Sequence, residues 1–351
     1  MEKISIIAIT KNGIKTSLKL KEIFPNWQVY APSKFSDDNT KINWFLESTT
    51  EKIEQLFKNN EAIICLFSLG AVIRLISPHL KDKKTDPAVI VIDDQSNFVI
   101  SALSGHIGGA NKLTEDIAKE IGALPVITTA ADVNKTIAVD LVGKEFGWSI
   151  DDDSNVTKIS AFMVNEEKIA LYQDTGERDW WKRELPKNIT VCSSLEELEK
   201  SNAKGFLIIS DKKVKKELFE KSVVYRPKTL VVGVGLHWDT SKETIKEGLE
   251  FCLEKYNLSK KSIARFTSIK KKEDVQGLKD IASEMNVPLV YVPKEELANI
   301  TIPNPSSVVN TFEGTPSVSE ASAIKVSEGE LVVEKQKFPP NLTIAIARIE
   351  K

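Results

Sequence analysis

Residues Ala62 to Phe67 form an unbroken apolar run, Ala-Ile-Ile-Cys-Leu-Phe. It has the length of a strand and no polar alternation, the pattern of a strand covered on both faces. Such a strand needs helices above and below its sheet, and the sequence around it supplies them. Lys3 to Thr10 reads as a buried strand, followed by Asn12-Gly13 and an amphipathic helix through Phe24. A strand follows at Gln28 to Ala31, then a loop from Pro32 to Asn39. The spacing of Ile42, Phe45, Leu46, Ile53, Leu56 and Phe57 predicts a helix over 40–58. Short apolar strands alternating with helices imply an α/β fold with a mainly parallel sheet.

A chain of 351 residues exceeds one ordinary core. The expected architecture is multi-domain α/β. Mainly parallel sheets flanked by helices form an N-terminal domain (1–132) and a C-terminal domain (227–351), and a smaller α/β middle domain spans 133–226. In the middle section Ile137 to Phe146 reads as a helix, followed by a helical stretch from Asn155 and a strand at Lys168 to Gln173. Arg226-Pro227-Lys228 marks the second boundary. Beyond it, Thr229 to Gly235 opens a new strand-turn-helix unit, with Ser241 as N-cap of a helix over 244–256. Strands follow at Ile263 to Ser268 and Leu289 to Val292, and a closing pair at Leu331 to Glu334 and Leu342 to Ala347.

Charge excludes little and favours nothing exotic. Lys and Arg total 48 against 50 Asp and Glu, a net charge of −2 with no global attraction to nucleic acid or a membrane surface. The lysine clusters at 81–84, 212–216 and 270–272 read as solvated faces. Cys65, Cys192 and Cys252 lie far apart without a CxxC, as expected of reduced thiols in a cytoplasmic protein. No apolar run approaches the ~20 residues of a membrane span. Met1-Glu2-Lys3 leads directly into a strand, so no signal peptide is expected.

The segments with chemical potential are glycine- and hydroxyl-rich loops. The first, Ser104-Gly105-His106-Ile107-Gly108-Gly109-Ala110-Asn111, stands between an apolar strand and a helix carrying Leu113, Ile117, Ala118 and Ile121 on one face. Glycine-rich backbone at a helix start can bring several N–H groups to an anion, and a histidine there can donate or accept a proton. The second is Thr128-Thr129-Ala130-Ala131-Asp132, the third Gly233-Val234-Gly235-Leu236-His237-Trp238, and the fourth Gly314 to Ala321. Plain readings stand beside these. The first two are tight helix starts, Ser317 and Glu320 have capping-box spacing, and His237 and His79 are loop residues. Ligands gather at the carboxyl ends of parallel strands. On that rule Ser68 to Arg74, Asp93-Asp94 and the glycine turn are expected to converge. There is no GxxxxGK[ST] and no HExxH, and Gly233-Val-Gly235 lacks the third glycine of a dinucleotide fingerprint.

Together the segments resemble the cobalamin-biosynthesis protein G family, CbiG. The stretch from Gly70-Ala-Val-Ile-Arg74 through Lys83-Lys84-Thr85-Asp86-Pro87 carries the resemblance. So do Ser104 to Asn111, and Pro125 to Asn134 with Ala138-Val139-Asp140. In the C-terminal half the matching pieces are Val232 to Gly235, Ser268 to Asp274 with Gly277-Leu278, Gly314 to Ala321, Lys335-Gln336-Lys337 and Thr343 to Ala347. Where the family often has a Gly-Cys-Arg-like turn, this chain has Leu236-His237-Trp238, so no role of that cysteine or arginine transfers.

The resemblance implies cobalt-precorrin-5A hydrolase activity on an anionic cobalt-corrinoid. Water opens a ring lactone, and a two-carbon unit leaves as acetaldehyde to give cobalt-precorrin-5B. Cobalt enters within the substrate, so no separate cofactor and no protein-bound metal are expected. Hand-over to other enzymes of the pathway is a further implication. For this chemistry the catalytic candidates are His106, Glu320 and Asp132, as acids or bases. The substrate-binding candidates are the cations Arg74, Lys83 and Lys84, with Lys270 a further possibility. To these are added Ser104, Gly105, Gly108, Gly109, Asn111, Thr128, Thr129, Gly233, Gly235 and Ser317. The Gly108, Gly109 and Ala110 amides are candidate oxyanion donors, and Trp238 is a candidate for the macrocycle face. The alternative is a non-catalytic corrinoid-binding accessory protein, which would bind without releasing aldehyde. A methyltransferase would need a donor-binding fingerprint that the sequence lacks. An unrelated nucleotide-binding α/β protein would respond to nucleotides and not to tetrapyrroles.

Overall fold

The computed structural model describes every residue except 2, 83, 84, 107, 272, 307–316 and 351. Contacts divide it into two compact units, Met1–Leu141 and Val142–Lys351. Among the described residues no helix is long and apolar enough to cross a membrane.

The first unit is built on a seven-stranded sheet. Its strands are β1 (Ile4–Ala8), β2 (Gln28–Pro32), β3 (Ile42–Phe45), β4 (Ala62–Leu66), β5 (Ala88–Ile92), β6 (Phe98–Leu103) and β7 (Leu124–Val126), in the order β3-β2-β1-β4-β5-β6-β7. Every residue of β1, β4 and β5 is buried. Successive side chains of a strand point to opposite faces, which explains the apolar run in β4. Ile64 and Leu66 pack with Leu20 of α1 (Lys11–Ile23) and Ile117 of a later helix, Ala110–Ile121. Ile63 and Cys65 pack on the other face, with Ile53 and Leu56 of α2 (Thr49–Asn59) and Val72 of α3 (Leu69–Ile76). The helix Ala110–Ile121 is α4, and a single turn, α5 (Ala130–Val133), follows β7.

The helix expected over 40–58 is two elements. Ile42–Phe45 is the edge strand β3, paired in parallel with β2, and the helix begins only at Thr49. Ile42 and Phe45 are buried while Leu46 is 89% exposed, as one helical face would not allow. Ser48 and Glu51 close a reciprocal capping box that sets the start of α2. The helix expected over Ile137 to Phe146 is also absent. That segment is a series of turns ending in one 3-10 turn, Lys144–Phe146, and Gly143 and Gly147 flank that turn with positive φ. Its apolar residues Ile137, Val139 and Val142 are nevertheless buried.

Strand direction overturns the expected convergence. β5 and β6 are antiparallel, joined through Asp93 to Asn97, and β7 runs parallel to β6. The glycine turn after β6 therefore lies at the amino-terminal edge of β1–β5, beside Asp86. Asp94 lies at the opposite edge, accepting hydrogen bonds from Thr10 (2.6 Å) and Asn12 (2.9 Å). The start of α3, following β4, is at that opposite edge too. Arg74 lies exposed in the last turn of α3.

The second unit carries two sheets. One consists of β8 (Ser149–Ile150), β9 (Ile169–Gln173), β10 (Ile189–Cys192), β11 (Gly205–Ile209) and β12 (Ser222–Arg226), ordered β10-β9-β11-β12-β8 and parallel except at β8. The other consists of β13 (Leu230–Leu236), β14 (Ile263–Ile269), β15 (Leu289–Val292), β16 (Leu331–Phe338) and β17 (Leu342–Arg348), ordered β15-β14-β13-β17-β16. Its first three positions are parallel, and the expected closing pair is antiparallel. The helices here are α6 (Val156–Val164), α7 (Leu195–Lys200), α8 (Lys216–Phe219), α9 (Lys242–Lys255), α10 (Gln276–Glu284), α11 (Lys294–Leu297) and α12 (Val318–Ser327). Ser241 caps α9 through the Thr244 amide.

Buried charge joins these two sheets. Asp211, just after β11, is fully buried and accepts from Arg348 Nε (2.7 Å), Arg348 Nη2 (2.9 Å) and the Thr229 hydroxyl (2.9 Å). Within the first of these sheets, Arg226 at the end of β12 is buried and donates to Asp151 (2.6 and 3.0 Å) and to the Ser210 carbonyl (2.9 Å).

Asp211→Ala leaves Arg348 and Thr229 without their acceptor. It should cost about 2–3 kcal/mol, below the full cost of a buried pair because Arg348 keeps some water contact, and should be seen as a lower urea midpoint. Cys65, Cys192 and Cys252 are all buried and unpaired, and burial raises each thiol pKa, that of Cys252 to about 12. Thiolate is the reactive form, so a thiol reagent at pH 8 should label none of the three in the folded chain and all three in denaturant.

Candidate active site

The turn between β6 and α4 is shaped by its own backbone. Gly109 has φ 80°, a left-handed conformation open to glycine, and serves as N-cap of α4. Its N–H donates to the His106 carbonyl (3.0 Å), the Ala110 N–H to the Ser104 carbonyl (3.2 Å) and the Asn111 N–H to the Gly105 carbonyl (3.0 Å). Two of the three amides expected to meet an oxyanion, Gly109 and Ala110, are thus consumed inside the loop. The glycines make the turn possible instead. A Cβ on Gly105 would lie 2.6 Å from Asn111 Oδ1, and one on Gly108 would lie 2.7 Å from the Ser104 carbonyl oxygen.

What the turn presents is side chains. His106 Nε2 is 3.0 Å from Asp132 Oδ2, and His106 Nδ1 is 3.6 Å from Asp140 Oδ1. Whichever ring nitrogen carries the proton, it faces a carboxylate. The side chains of His106 and Asp140 are 17% and 18% exposed, that of Asp132 44%, so Asp132 is the solvent-facing end of the row. Asn111 locks it. Buried in the first turn of α4, its amide nitrogen donates to Asp132 Oδ2 (2.6 Å) and to the Thr129 hydroxyl (2.9 Å), and its oxygen accepts from Ser101 (2.6 Å). Ser104 ties the turn to the Asp86 carbonyl (2.9 Å).

The structure thus gathers His106, Asp132, Asn111, Thr129, Ser104 and the three turn glycines, with Thr128 exposed beside them. Arg74 is exposed, and Lys83 and Lys84 lie outside the described residues. Asp140 is the functional candidate that sequence reasoning did not single out. It closes the last family-like stretch of the first unit, but no spacing rule connects it to His106. Among the described residues, no group of three or more His, Cys, Asp or Glu is gathered as a metal site.

Glu320, Gly233, Gly235 and Ser317 belong to the second unit. Glu320 is fully buried in α12. Its Oε1 accepts from Asn304 (2.8 Å) and from the Lys335 backbone N–H (3.1 Å). The capping-box reading fails here, because the Ser317 side chain makes no cap hydrogen bond and Glu320 serves β16 instead. Gly233 is buried beneath α12, where a Cβ would collide with the Ser319 carbonyl oxygen, so its role is close helix–strand packing rather than ligand contact. Gly235 and Ser317 line a cleft of about 690 Å³ with His237 and Trp238.

Comparison with known families accounts for this arrangement of motifs. The cobalamin synthesis G N-terminal family matches residues 51–132, the cobalamin biosynthesis central region 137–227 and the cobalamin synthesis G C-terminus 230–347. A cobalt-precorrin-5A hydrolase of Priestia megaterium is 42% identical over 98% of this chain and 94% of its own length. The chain belongs to the cobalamin-biosynthesis protein G family. A cobalt-precorrin-5A hydrolase of Salmonella typhimurium is 29% identical over 95% of this chain and 94% of its own. A crystal structure described as a cobalamin biosynthesis protein G homolog from Sulfolobus solfataricus covers 99% of this chain and 98% of its own at 25% identity, with a TM-score of 0.39. Within the family's N-terminal match fall His106, Asn111, Thr129 and Asp132, while Asp140 falls within the central match.

Asn111→Ala removes the donor shared by Asp132 and Thr129. The expected cost is about 1–3 kcal/mol for the groups left unpaired, read as a lower melting temperature. A displaced His106 ring signal in the NMR spectrum should accompany it.

Proposed function

We propose that this chain is a cobalt-precorrin-5A hydrolase. The observation that carries the reading is the 42% identity, across nearly the whole of both chains, to the Priestia megaterium protein of that name. The His106 site supplies groups the reaction needs. Lactone hydrolysis requires a base to take a proton from water and a donor to protonate the leaving oxygen. Water adds to the lactone carbonyl and the acyl–oxygen bond breaks, leaving a ring carboxylate and an alcohol on the extruded carbon. The alcohol proton is then removed, the carbon–carbon bond to the ring breaks with its electron pair passing to the ring, and acetaldehyde departs. Cobalt stays in the macrocycle as part of the substrate, and the reading needs no separate cofactor.

Asp132, the exposed end of the row, takes the proton from water in this reading, and His106 relays it. Asp140 holds the far nitrogen of the imidazole and so orients the ring. Asp132 also serves the second proton transfer. Glu320, shut away from solvent and committed to Asn304 and β16, is given no proton to carry. Arg74 is assigned to substrate carboxylates, which it can grip with two parallel N–H bonds, and Lys83 and Lys84 are assigned to them as well.

The test is anaerobic incubation with cobalt-precorrin-5A, trapping aldehyde and following the corrinoid by mass. Acetaldehyde release with the matching mass loss is expected from the wild type. His106→Ala and Asp132→Asn should each lower turnover by roughly 10²-fold or more, and Asp140→Asn by less, with a changed pH–rate profile. Turnover of His106→Ala within about threefold of wild type would remove the histidine from the mechanism, since general acid–base catalysis contributes more than that. Binding without mass change, on substrate competent with another enzyme, would leave the accessory-protein reading.

A further inference from the structure

The cleft in the second unit opens at the carboxyl ends of β13 and β14, where α12 begins, and its chemistry is one-sided. Trp238 and Phe338 contribute an aromatic wall, with Trp238 81% exposed. Lys271, Lys335 and Lys337 also line the cleft. Among its described lining residues there is no Asp or Glu, although acidic residues outnumber basic ones over the whole chain. Its floor includes Ser317, 2% exposed, whose hydroxyl has no hydrogen-bond partner among the described residues. A buried hydroxyl without a partner is costly unless something fills the site.

Two of the lysines are held in place. Lys271 donates to the Leu236 carbonyl (3.0 Å), and Lys335 donates to the Asn304 carbonyl while Asn304 itself binds Glu320. Burial lowers the Lys335 pKa, opposed by the nearby Glu320 charge. An ammonium stripped of water in this way gains more from meeting an anion than a fully hydrated one does. The Glu320 carboxylate thus serves the cleft indirectly, by anchoring the Asn304–Lys335 pair and the edge of β16.

We propose that this cleft is a binding site for a ligand with a broad apolar ring face and several carboxylates at its rim. Resting on the hydrolase reading, that ligand is the corrinoid substrate, stacked on Trp238 with its acid arms on Lys271, Lys335 and Lys337. The Ser317 hydroxyl and the start of α12 supply further donors to the same carboxylates.

The experiment uses the full chain and two probes, a cobalt corrinoid heptacarboxylate and its hepta-amide, followed by quenching of tryptophan fluorescence. Wild type should bind the acid form and discriminate against the amide, with affinity falling as salt rises. The Lys271→Ala/Lys337→Ala double variant should lose about tenfold or more, the scale of one charge-assisted hydrogen bond. Its KM for cobalt-precorrin-5A should rise while kcat holds. Lys337→Glu, at an exposed position that tolerates the change in folding, should weaken binding further. Unchanged binding and KM in both variants, with acetaldehyde released, would overturn the cleft assignment and leave the hydrolase standing. Lysine-dependent binding without acetaldehyde would keep the cleft and overturn the hydrolase. Equal binding of acid and amide, or competition by ATP at the same concentration, would overturn the ligand class.

Discussion

The antiparallel pairing of β5 with β6 organises the first unit. Five residues, Asp93 to Asn97, turn the chain back, and Asp93 caps that turn by accepting from the Phe98 amide (2.6 Å). Asp94 is tied to Thr10 and Asn12 across the same edge, bonds that hold its carboxyl below the usual range. Because the chain reverses here, the glycine turn that follows β6 is delivered to the edge opposite the one where ligands usually collect in a parallel sheet. β7 runs with β6 and brings Thr128, Thr129 and Asp132 to the same place. The candidate active site is a consequence of that single reversal.

Once delivered, the turn is braced by its own backbone hydrogen bonds. Its Gly109, Ala110 and Asn111 amides are spent on its own carbonyls, and it places the His106 side chain between two carboxylates. Asn111 makes that geometry stable because its amide meets Ser101, Thr129 and Asp132 at once. A group satisfied on several sides is worth more to a site than the same group left to rotate, since positioning is much of what a proton-transfer site supplies. The second unit makes a complementary contribution. Buried carboxylates there, Asp211 and Glu320, act as anchors for cations and backbone.

Much of the fold was legible. The alternation of apolar runs and amphipathic stretches places β1, β2, β4, α4, β9, β13, α9, β14, β15 and the closing hairpin close to where they lie, because each rests on local periodicity. Two segments misled. Ile42 and Phe45 stand three apart, a spacing shared by a helical face and by a short edge strand, and the Ser48–Glu51 capping box was the signal that separates them. Ile137, Val139 and Val142 are buried like helix residues yet sit in turns, where Gly143 adopts a left-handed backbone. The direction of β6 was also within reach. A five-residue link is too short for the crossover that parallel neighbours need.

The site was legible as loops and not as an arrangement. The sequence by itself determined the α/β class, the positions of the glycine turns and the family to which their order belongs, since motifs and periodicity are properties of neighbouring residues. Only the tertiary structure decided that His106 meets Asp132 and Asp140. It alone showed that Gly233 is a packing residue and that Glu320 is an internal anchor. It also gathered Lys271, Lys335 and Trp238 around one cleft. Those relations depend on strand direction and on contacts between residues far apart in the chain, which local pattern does not encode.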